Sequence, residues 1–160
     1  MSYTVHKVSS TEDFDRCIHV RQVVFVVEQE CPPDTEPDAK DPVCTQFLAT
    51  YSDNNTDSAP ASPVGTARLV PVEAESPTAT KTAMLGRLAV LKEHRGKGLG
   101  QLLVKAVEEE AKRLGVQRID MHAQSYKQRW YEKLGYARLE GLDEFDEDGI
   151  PHVHMEKWIV

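Results

Sequence analysis

Residues 84–103 read MLGRLAVLKEHRGKGLGQLL, and this stretch decides the fold of the chain. An apolar, strand-like run is followed by a short polar turn and then by a glycine-rich loop. Beyond the loop, apolar residues recur at helical spacing, among them Leu99, Leu103, Val107 and Ala111. The sequence therefore predicts a strand, a loop and a helix in that order, with the loop at the N-terminus of the helix.

The glycine-rich loop has the properties of a phosphate-binding loop. Because Gly96, Gly98 and Gly100 carry no side chains, successive backbone N–H groups can point outward together. The positive end of the helix dipole lies at the same place, and Arg95 and Lys97 add positive charge. This cationic segment stands out from a chain whose formal net charge is −7. We interpret the loop as a phosphate or pyrophosphate site, and a flexible turn without a ligand is the alternative.

The spacing of the glycines separates several classes of loop. The G-x-G-x-x-G of dinucleotide-binding folds and the G-x-x-x-x-G-K-[ST] of nucleotide triphosphatases are both absent. Residues 95–100, RGKGLG, instead resemble the (Gln/Arg)-x-x-Gly-x-(Gly/Ala) signature of the GNAT superfamily of acyl-CoA-dependent N-acetyltransferases. The preceding residues 87–90, RLAV, are similar to the strand of that family.

A second motif follows in the order and separation that this superfamily shows. Residues 124–136, QSYKQRWYEKLGY, resemble its A-x-x-(aromatic)-Tyr-Glu-Lys-x-Gly-(aromatic) helix and turn. Residues 21–29, 121–124 and 149–155 are similar to the YjcF-like and ElaA-like branch of the superfamily. The resemblance therefore covers nearly the whole chain.

The resemblance implies a fold and a cofactor site. The fold class is mixed α/β (α+β), with a mostly antiparallel central sheet that contains one splayed parallel strand pair and is flanked by helices. Residues 1–160 would form a single N-acetyltransferase domain. Acetyl-CoA would be the acetyl donor, and the residues implied to contact it are Leu88, Ala89, Val90, Arg95, Gly96, Lys97, Gly98, Leu99 and Gly100.

The hydrophobic pattern predicts the remaining elements. The predicted helices lie at 10–28, 99–114 and 125–134, and the predicted strands at 3–8, 44–51, 64–72, 82–91, 116–123, 136–139 and 152–160. A polar stretch at 52–63 would connect two of the strands. The proline-rich residues 31–37 and the acidic residues 140–148 are predicted to be exposed loops.

The reaction that the resemblance implies is direct attack of a primary amine on acetyl-CoA. Holding both reactants together can contribute roughly 7–11 kcal/mol, and acid–base assistance a further factor of about 10²–10⁴. Tyr131 would stand near the thioester sulfur and protonate the leaving thiolate, while the Val90 N–H would donate to the thioester oxygen.

The general base is left open by the sequence. Many relatives use a carboxylate on the strand that enters the cofactor loop, but residues 84–88 contain no acid. His122, Glu28 and His154 are the candidates for a base or for contacts to the acceptor, and an imidazole titrates near pH 6.5. His152 and His154 would share one face of a strand, but no third ligand with metal-site spacing accompanies them, so we predict no metal.

Composition limits the partners and the compartment. The hydrophobic content of 40% and the charged content of 28% are ordinary for a soluble globular protein. The negative net charge argues against nucleic acid or an anionic membrane as a partner. We see no apolar run of transmembrane length and no signal-peptide pattern, and therefore expect a cytoplasmic protein.

Three functions remain open at this stage. The first is acetylation of a small-molecule amine such as an aminosugar, a polyamine or an amino acid, which the acidic composition favours. The second is acetylation of a protein lysine or N-terminus. The third is a regulatory module that binds CoA without catalysis. A homodimer is compatible with each of them.

Overall fold

An eight-stranded mixed sheet runs through the computed structural model, which describes residues 2–53 and 59–160. Its strands are β1 (Ser2–Lys7), β2 (Thr45–Ser52), β3 (Ser62–Pro71), β4 (Thr82–Val90), β5 (Arg118–Gln124), β6 (Ala137–Arg138), β7 (Phe145–Glu147) and β8 (Ile150–Trp158). The order is β1-β2-β3-β4-β5-β8-β6, and β7 pairs with β8 off this path. β4 and β5 are parallel, whereas the other pairs among the described strands are antiparallel. The predicted mixed sheet with one parallel pair is confirmed.

Three α-helices accompany the sheet in the described residues: α1 (Thr11–Arg21), α2 (Leu99–Arg113) and α3 (Gln128–Lys133). Short 3₁₀ turns cover Pro33–Thr35, Asp41–Val43, Lys92–His94 and Ser125–Lys127. Ser10 caps α1 by accepting a hydrogen bond from the backbone N–H of Asp13 at 3.1 Å. None of the helices in these ranges is long and apolar enough to cross a bilayer.

A π-helical segment (Gln22–Glu28) continues α1. The predicted helix over 10–28 has the right extent, but its last seven residues are wider than an α-helix. The N–H of Gln29 donates to the carbonyl oxygen of Val24 at 3.0 Å, which spans five residues instead of four. The β-branched side chains in this segment explain the difference, because they pack poorly against the preceding turn of an α-helix.

Helices pack against both faces of the sheet. Leu103, Val107 and Ala111 of α2 are fully buried in the main core, where they join Leu69 and Leu85 of the sheet. A smaller cluster forms where Val20 and Val24, from α1 and the π-helical segment, meet Ala89 of β4. The sequence order of elements therefore builds a sheet with a helix packed on each side.

A buried ionic network ties the segment after the π-helix to the sheet. Arg21 is fully buried and lies 2.8 Å from Asp41, and it also pairs with Glu36. Arg68 of β3 bonds to Asp41 at 2.9 Å and to Asp38 at 2.7 Å. The prediction that residues 31–37 form an exposed loop is wrong at Cys31, which is buried, and at Glu36. The ionic network draws the side chain of Glu36 into the interior, where it is only 5% exposed.

A β-bulge interrupts β4. Arg87 and Leu88 together stand opposite Ala67 of β3, because the register moves from Thr66–Ala89 to Arg68–Gly86. Arg87 has a φ of 49°, in a left-handed region that side chains rarely occupy. Its guanidinium holds this conformation through an ion pair with Glu36, whose Oε1 lies 2.6 Å from Nε.

The predicted strands agree with the structure to within two residues at each end, with one addition. The acidic stretch 140–148 is not a loop throughout, because Phe145–Glu147 forms β7 and pairs with the start of β8. The prediction of a solvated loop is wrong at residues 145–147, because backbone pairing with β8 makes them part of the sheet. Of the predicted connection at 52–63, residues 54–58 lie outside the described part of the chain.

Candidate active site

A cleft of about 710 Å³ opens where β4 and β5 separate. The two strands are paired only from Thr82–Met84 on β4 to Arg118–Asp120 on β5. β4 continues to Val90, so the edge of its second half that faces β5 has no strand partner in the described chain. Unpaired backbone groups of a strand are donors and acceptors ready for a ligand. Leu88, Ala89 and Val90 line the cleft.

The glycine-rich loop forms one end of this cleft. Gly96 and Gly98 have φ values of 76° and 80°, and a Cβ on either would meet no atom within 4 Å. Gly98 is the N-cap of α2, and no side chain caps the helix. The first N–H groups of α2 therefore remain available to a bound anion.

The loop residues do not all reach the cleft. Gly96, Gly98, Leu99 and Gly100 line it, whereas Lys97 is exposed and lies outside its wall. A Cβ on Gly100 would stand 3.0 Å from the ring of Trp130, so a glycine here lets α2 and α3 approach closely.

Arg95 joins the loop to the π-helical segment. Its two terminal nitrogens each lie 2.7 Å from a carboxylate oxygen of Glu28, and its Nε donates to the carbonyl of Val90 at 2.8 Å. The hydrogen bonds from Arg95 lower the pKa of Glu28. A general base near neutral pH needs the opposite shift. The structure therefore places Glu28 at the glycine-rich loop, where its carboxylate is engaged with the guanidinium of Arg95.

Tyr131 of α3 lines the same cleft and is only 7% exposed. Its ring meets Trp130 edge-to-face at 4.9 Å and Tyr136 at 6.1 Å. Burial raises the pKa of Tyr131, so the phenol keeps its proton at neutral pH. No hydrogen-bond partner for the hydroxyl is found in the described residues, which leaves it free to donate.

His122 of β5 lies in the cleft wall with its side chain 37% exposed. Its ring packs against Phe145 at 5.0 Å and against His154 at 4.9 Å, both in edge contacts. Glu147 of β7 approaches it, with Oε1 3.9 Å from Nδ1. His154 is outside the cleft wall and supports the ring of His122 from behind. The structure thus brings together two of the predicted acceptor-site residues.

Comparison with known proteins agrees with this geometry. The Acetyltransferase (GNAT) domain family matches residues 63–159. The chain belongs to the GNAT acetyltransferase family. A Bacillus subtilis protein named for an inferred acetyltransferase activity is 38% identical over 156 residues, which is 96% of this chain and 95% of that protein.

The predicted branch of the GNAT family is also confirmed. The Bacillus subtilis protein YjcF, named as an uncharacterized N-acetyltransferase, is 31% identical over 146 residues, covering 91% of this chain and 93% of that protein. The crystal structure of Escherichia coli ElaA matches with a TM-score of 0.72 and 24% identity, covering 98% of each chain. The protein is thus an N-acetyltransferase with the fold of this family.

The structure adds residues to the GNAT cleft that sequence reasoning did not select. Lys127 is half-buried in the wall, burial lowers its pKa, and no carboxylate pairs with it within the described residues. Gln29 and Gln124 exchange hydrogen bonds of 2.9 and 3.4 Å, which tie the end of the π-helical segment to the end of β5. Gln124 and Lys127 lie inside the second motif at 124–136, and that position is the signal that could have found them.

Glu147 and His152 are the other additions to the cleft wall. Both come from the hairpin of β7 and β8, whose first strand the sequence did not predict. In the described residues, no group of three or more His, Cys, Asp or Glu side chains is arranged to hold a metal ion.

Proposed function

We propose that this protein transfers the acetyl group of acetyl-CoA to the primary amine of a small cationic molecule, of the aminosugar, polyamine or amino-acid type. One observation carries the proposal: the unpaired edge of β4, the open glycine loop and the Tyr131 side chain all line one cleft. The free edge of β4 would offer backbone groups to the extended pantetheine arm of CoA. The glycine loop would offer N–H groups to the pyrophosphate of CoA, and the phenol of Tyr131 would offer a proton.

The cleft suits acetyl-CoA as the acetyl donor. The open space above Gly96 and Gly98 leaves room for phosphate oxygens against the backbone. Leu88 and Val90 would bind the pantetheine arm through their main-chain groups, and Lys127 would add positive charge near the loop. Arg95 would contact the pyrophosphate from the loop, and Glu28 would hold its guanidinium in place.

Four groups of the chain would assist the transfer. The amine nitrogen attacks the acetyl carbon, the C–S bond breaks, and CoA leaves as a thiolate. The Val90 N–H donates to the thioester oxygen, and Tyr131 gives the thiolate its proton. His122 takes the proton that the amine loses, and His154 keeps the imidazole in place from behind. Holding the reactants side by side supplies roughly 7–11 kcal/mol of the rate enhancement.

Charges near His122 support a cationic acceptor. Glu147 and Asp148 lie in the cleft wall. The carboxylate of Glu36 is also there, but its ion pairs with Arg21 and Arg87 engage it. The carboxylates of the β7–β8 hairpin therefore remain to attract an ammonium group to this part of the cleft.

The test of the proposed function is thiol release from acetyl-CoA with a panel of amines. The panel contains polyamines, aminosugars, free amino acids, lysine-containing peptides and peptides with free N-termini. We expect a small cationic amine to give the highest kcat/KM. Faster acetylation of a peptide would overturn the small-molecule acceptor. CoA binding without thiol release from any amine would favour a regulatory module instead.

Replacing Gly98 by aspartate is expected to weaken CoA binding by about 10- to 100-fold, or roughly 1.4–2.8 kcal/mol. The new carboxylate would occupy the N–H groups at the start of α2 and repel the phosphates. Aspartate tolerates the left-handed conformation better than most residues, so the fold should survive. The measurement is the thermal stabilisation that CoA induces, together with the Kd by calorimetry.

Gly141→Asp is the matched control, because Gly141 also has a φ of 80° with no atom within 4 Å of a Cβ and is not part of the cleft wall. It introduces the same charge at a comparable backbone conformation and should leave CoA affinity unchanged. If Gly98→Asp kept the CoA-induced stabilisation of the parent, the glycine loop would not be the CoA site.

A further inference from the structure

The β7–β8 hairpin directs an acidic side chain at the cleft. Phe145 pairs with His152, and Glu147 pairs with Ile150 across a two-residue turn of Asp148 and Gly149. Both turn residues have positive φ values, 54° and 82°, which is the conformation of a tight type I′ hairpin. The backbone N–H of Gly149 also donates to the Asp146 carboxylate at 2.9 Å. Glu147 therefore projects from a closed hairpin and not from a solvated loop.

Strand register brings Glu147 to His122. On β8, His152 pairs with Gln124 of β5, and His154 pairs with His122. Phe145 and His154 hold the imidazole of His122 in edge contacts at 5.0 and 4.9 Å. A ring held in this way by packing has a fixed orientation.

The two carboxylate oxygens of Glu147 face two different histidines. Oε2 lies 3.4 Å from Nε2 of His152, and Oε1 lies 3.9 Å from Nδ1 of His122. The other nitrogen of His152, Nδ1, lies 2.7 Å from the carbonyl oxygen of Ile150, so both of its nitrogens are engaged. His122 differs, because its Nε2 contacts no hydrogen-bonding group in the described residues while the ring lines the cleft.

We propose that Glu147 is a positioning residue, which keeps the proton of neutral His122 on Nδ1 and thereby turns the lone pair of Nε2 toward the acceptor amine. The inference rests on the proposed acetyl transfer and names the partner of its base. An ionised carboxylate only accepts hydrogen bonds, so it selects the imidazole tautomer whose N–H faces it. The contact with His122 lowers the pKa of Glu147, so the side chain stays ionised at neutral pH.

The proton that the amine loses during acetyl transfer has a defined acceptor. As the amine nitrogen bonds to the acetyl carbon, its proton passes to Nε2 of His122, which becomes an imidazolium with Glu147 facing its other N–H. Glu147 stays ionised throughout. The separation of 3.9 Å is longer than a hydrogen bond, and such contacts in catalytic sites often shorten only when the substrate is bound. The charged and titratable groups near the pair include His152, His154, Arg87 and also Asp148, which follows Glu147 in the turn.

The first measurement needs no acceptor. ¹⁵N-labelled protein is studied by NMR above the titration range of its histidines, and the His122→Gln variant identifies the signal of His122. We expect the parent to show the Nδ1–H tautomer and Glu147→Ala to show mainly the Nε2–H tautomer. Glu147→Gln should lie between the two, because its amide oxygen still accepts from Nδ1. A parent in the Nε2–H form, or a Glu147→Ala variant with the parent's tautomer, would overturn the proposal.

The second measurement separates kcat from KM, with the best amine of the panel. Glu147→Ala should lower kcat by about 10- to 100-fold with an unchanged KM for acetyl-CoA, since the carboxylate faces His122 and not the glycine loop. Glu147→Gln should recover part of the loss. Glu144→Gln removes the same charge from the residue before β7, where the carboxylate bonds to Ser125, and should match the parent.

The outcomes distinguish this inference from the function on which it rests. A parent-like kcat in Glu147→Ala, with acetylation by the parent established, would refute the positioning role and leave the acetyltransferase proposal intact. Failure of the parent to acetylate any amine would refute the proposed function, and with it the role of His122 as a base, whatever tautomer NMR shows.

Discussion

Replacing Tyr131 by phenylalanine is expected to lower turnover by about 10- to 10³-fold, with folding and CoA affinity close to those of the parent. The substitution keeps the ring and its contacts with Trp130 and Tyr136, and it removes only the hydroxyl. Burial holds the pKa of Tyr131 above its usual value, so the phenol is a proton donor and not a base. A departing thiolate with a thiol pKa of about 8.5 needs such a donor only in part, so the loss should not be complete. The measurement is kcat at saturating acetyl-CoA and amine, with chemistry shown to be rate-limiting.

Tyr136→Phe is the matched control for this experiment. Tyr136 is also buried, but its hydroxyl donates to Glu108 at 3.0 Å and its side chain is not part of the cleft wall. Removing that hydrogen bond should cost about 1.5–3 kcal/mol of stability and leave turnover unchanged. If Tyr131→Phe turned over like the parent, Tyr131 would be a packing residue and water would protonate the thiolate.

Replacing Asp41 by asparagine is expected to lower the free energy of unfolding by about 3–5 kcal/mol. Asp41 lies in the ionic network at 2.8 Å from Arg21 and 2.9 Å from Arg68, and its side chain is 2% exposed. An asparagine at position 41 would remove the negative charge that balances the buried guanidinium groups of Arg21 and Arg68. Urea denaturation at pH 7 measures the loss. Asp34→Asn, an exposed change in the neighbouring loop, should stay within about 0.5 kcal/mol of the parent.

The same network predicts how stability depends on pH. Burial alone would raise the pKa of Asp41, but the hydrogen bonds from Arg21 and Arg68 outweigh it and hold the pKa well below its usual range. A carboxylate with a depressed pKa contributes stability above its unfolded pKa of about 3.9, and loses that contribution as the pH falls toward the folded value. The difference between the parent and Asp41→Asn should therefore shrink below about pH 4. A difference that stayed constant from pH 7 to pH 3 would contradict the assignment.

The glycine-loop end of the cleft was predictable because its parts are local in sequence. A strand, a glycine loop and a helix N-terminus follow one another within residues 84–103, and the backbone geometry of such a unit depends mainly on its own residues. The positive φ values at Gly96 and Gly98 are conformations that glycine permits at little cost. For Tyr131, the expectation of a place near the thioester came from the resemblance of its motif to the GNAT superfamily.

The part of the cleft around His122 was not predictable, and neither were the surroundings of Glu28 and Glu36, because long-range contacts create them. Glu28 looked like a base until Arg95, 67 positions away, was found to hold its carboxylate. Glu147 looked like solvated acid until pairing of β7 with β8, and of β8 with β5, placed it beside His122. Glu36 looked exposed until the cations from α1 and β4 drew it inside. Each of these roles depends on partners that no local pattern contains.

The sequence by itself determined the family, the order of the elements and the glycine loop of the cleft, because hydrophobic period, glycine spacing and capping residues act over a few neighbours. Tertiary structure alone decided the bulge at Arg87, the ionic network that holds it and the carboxylate that faces His122. Charges and hydrogen bonds obtain their energy from partners brought within a few ångströms, and only the folded sheet fixes which residues those partners are.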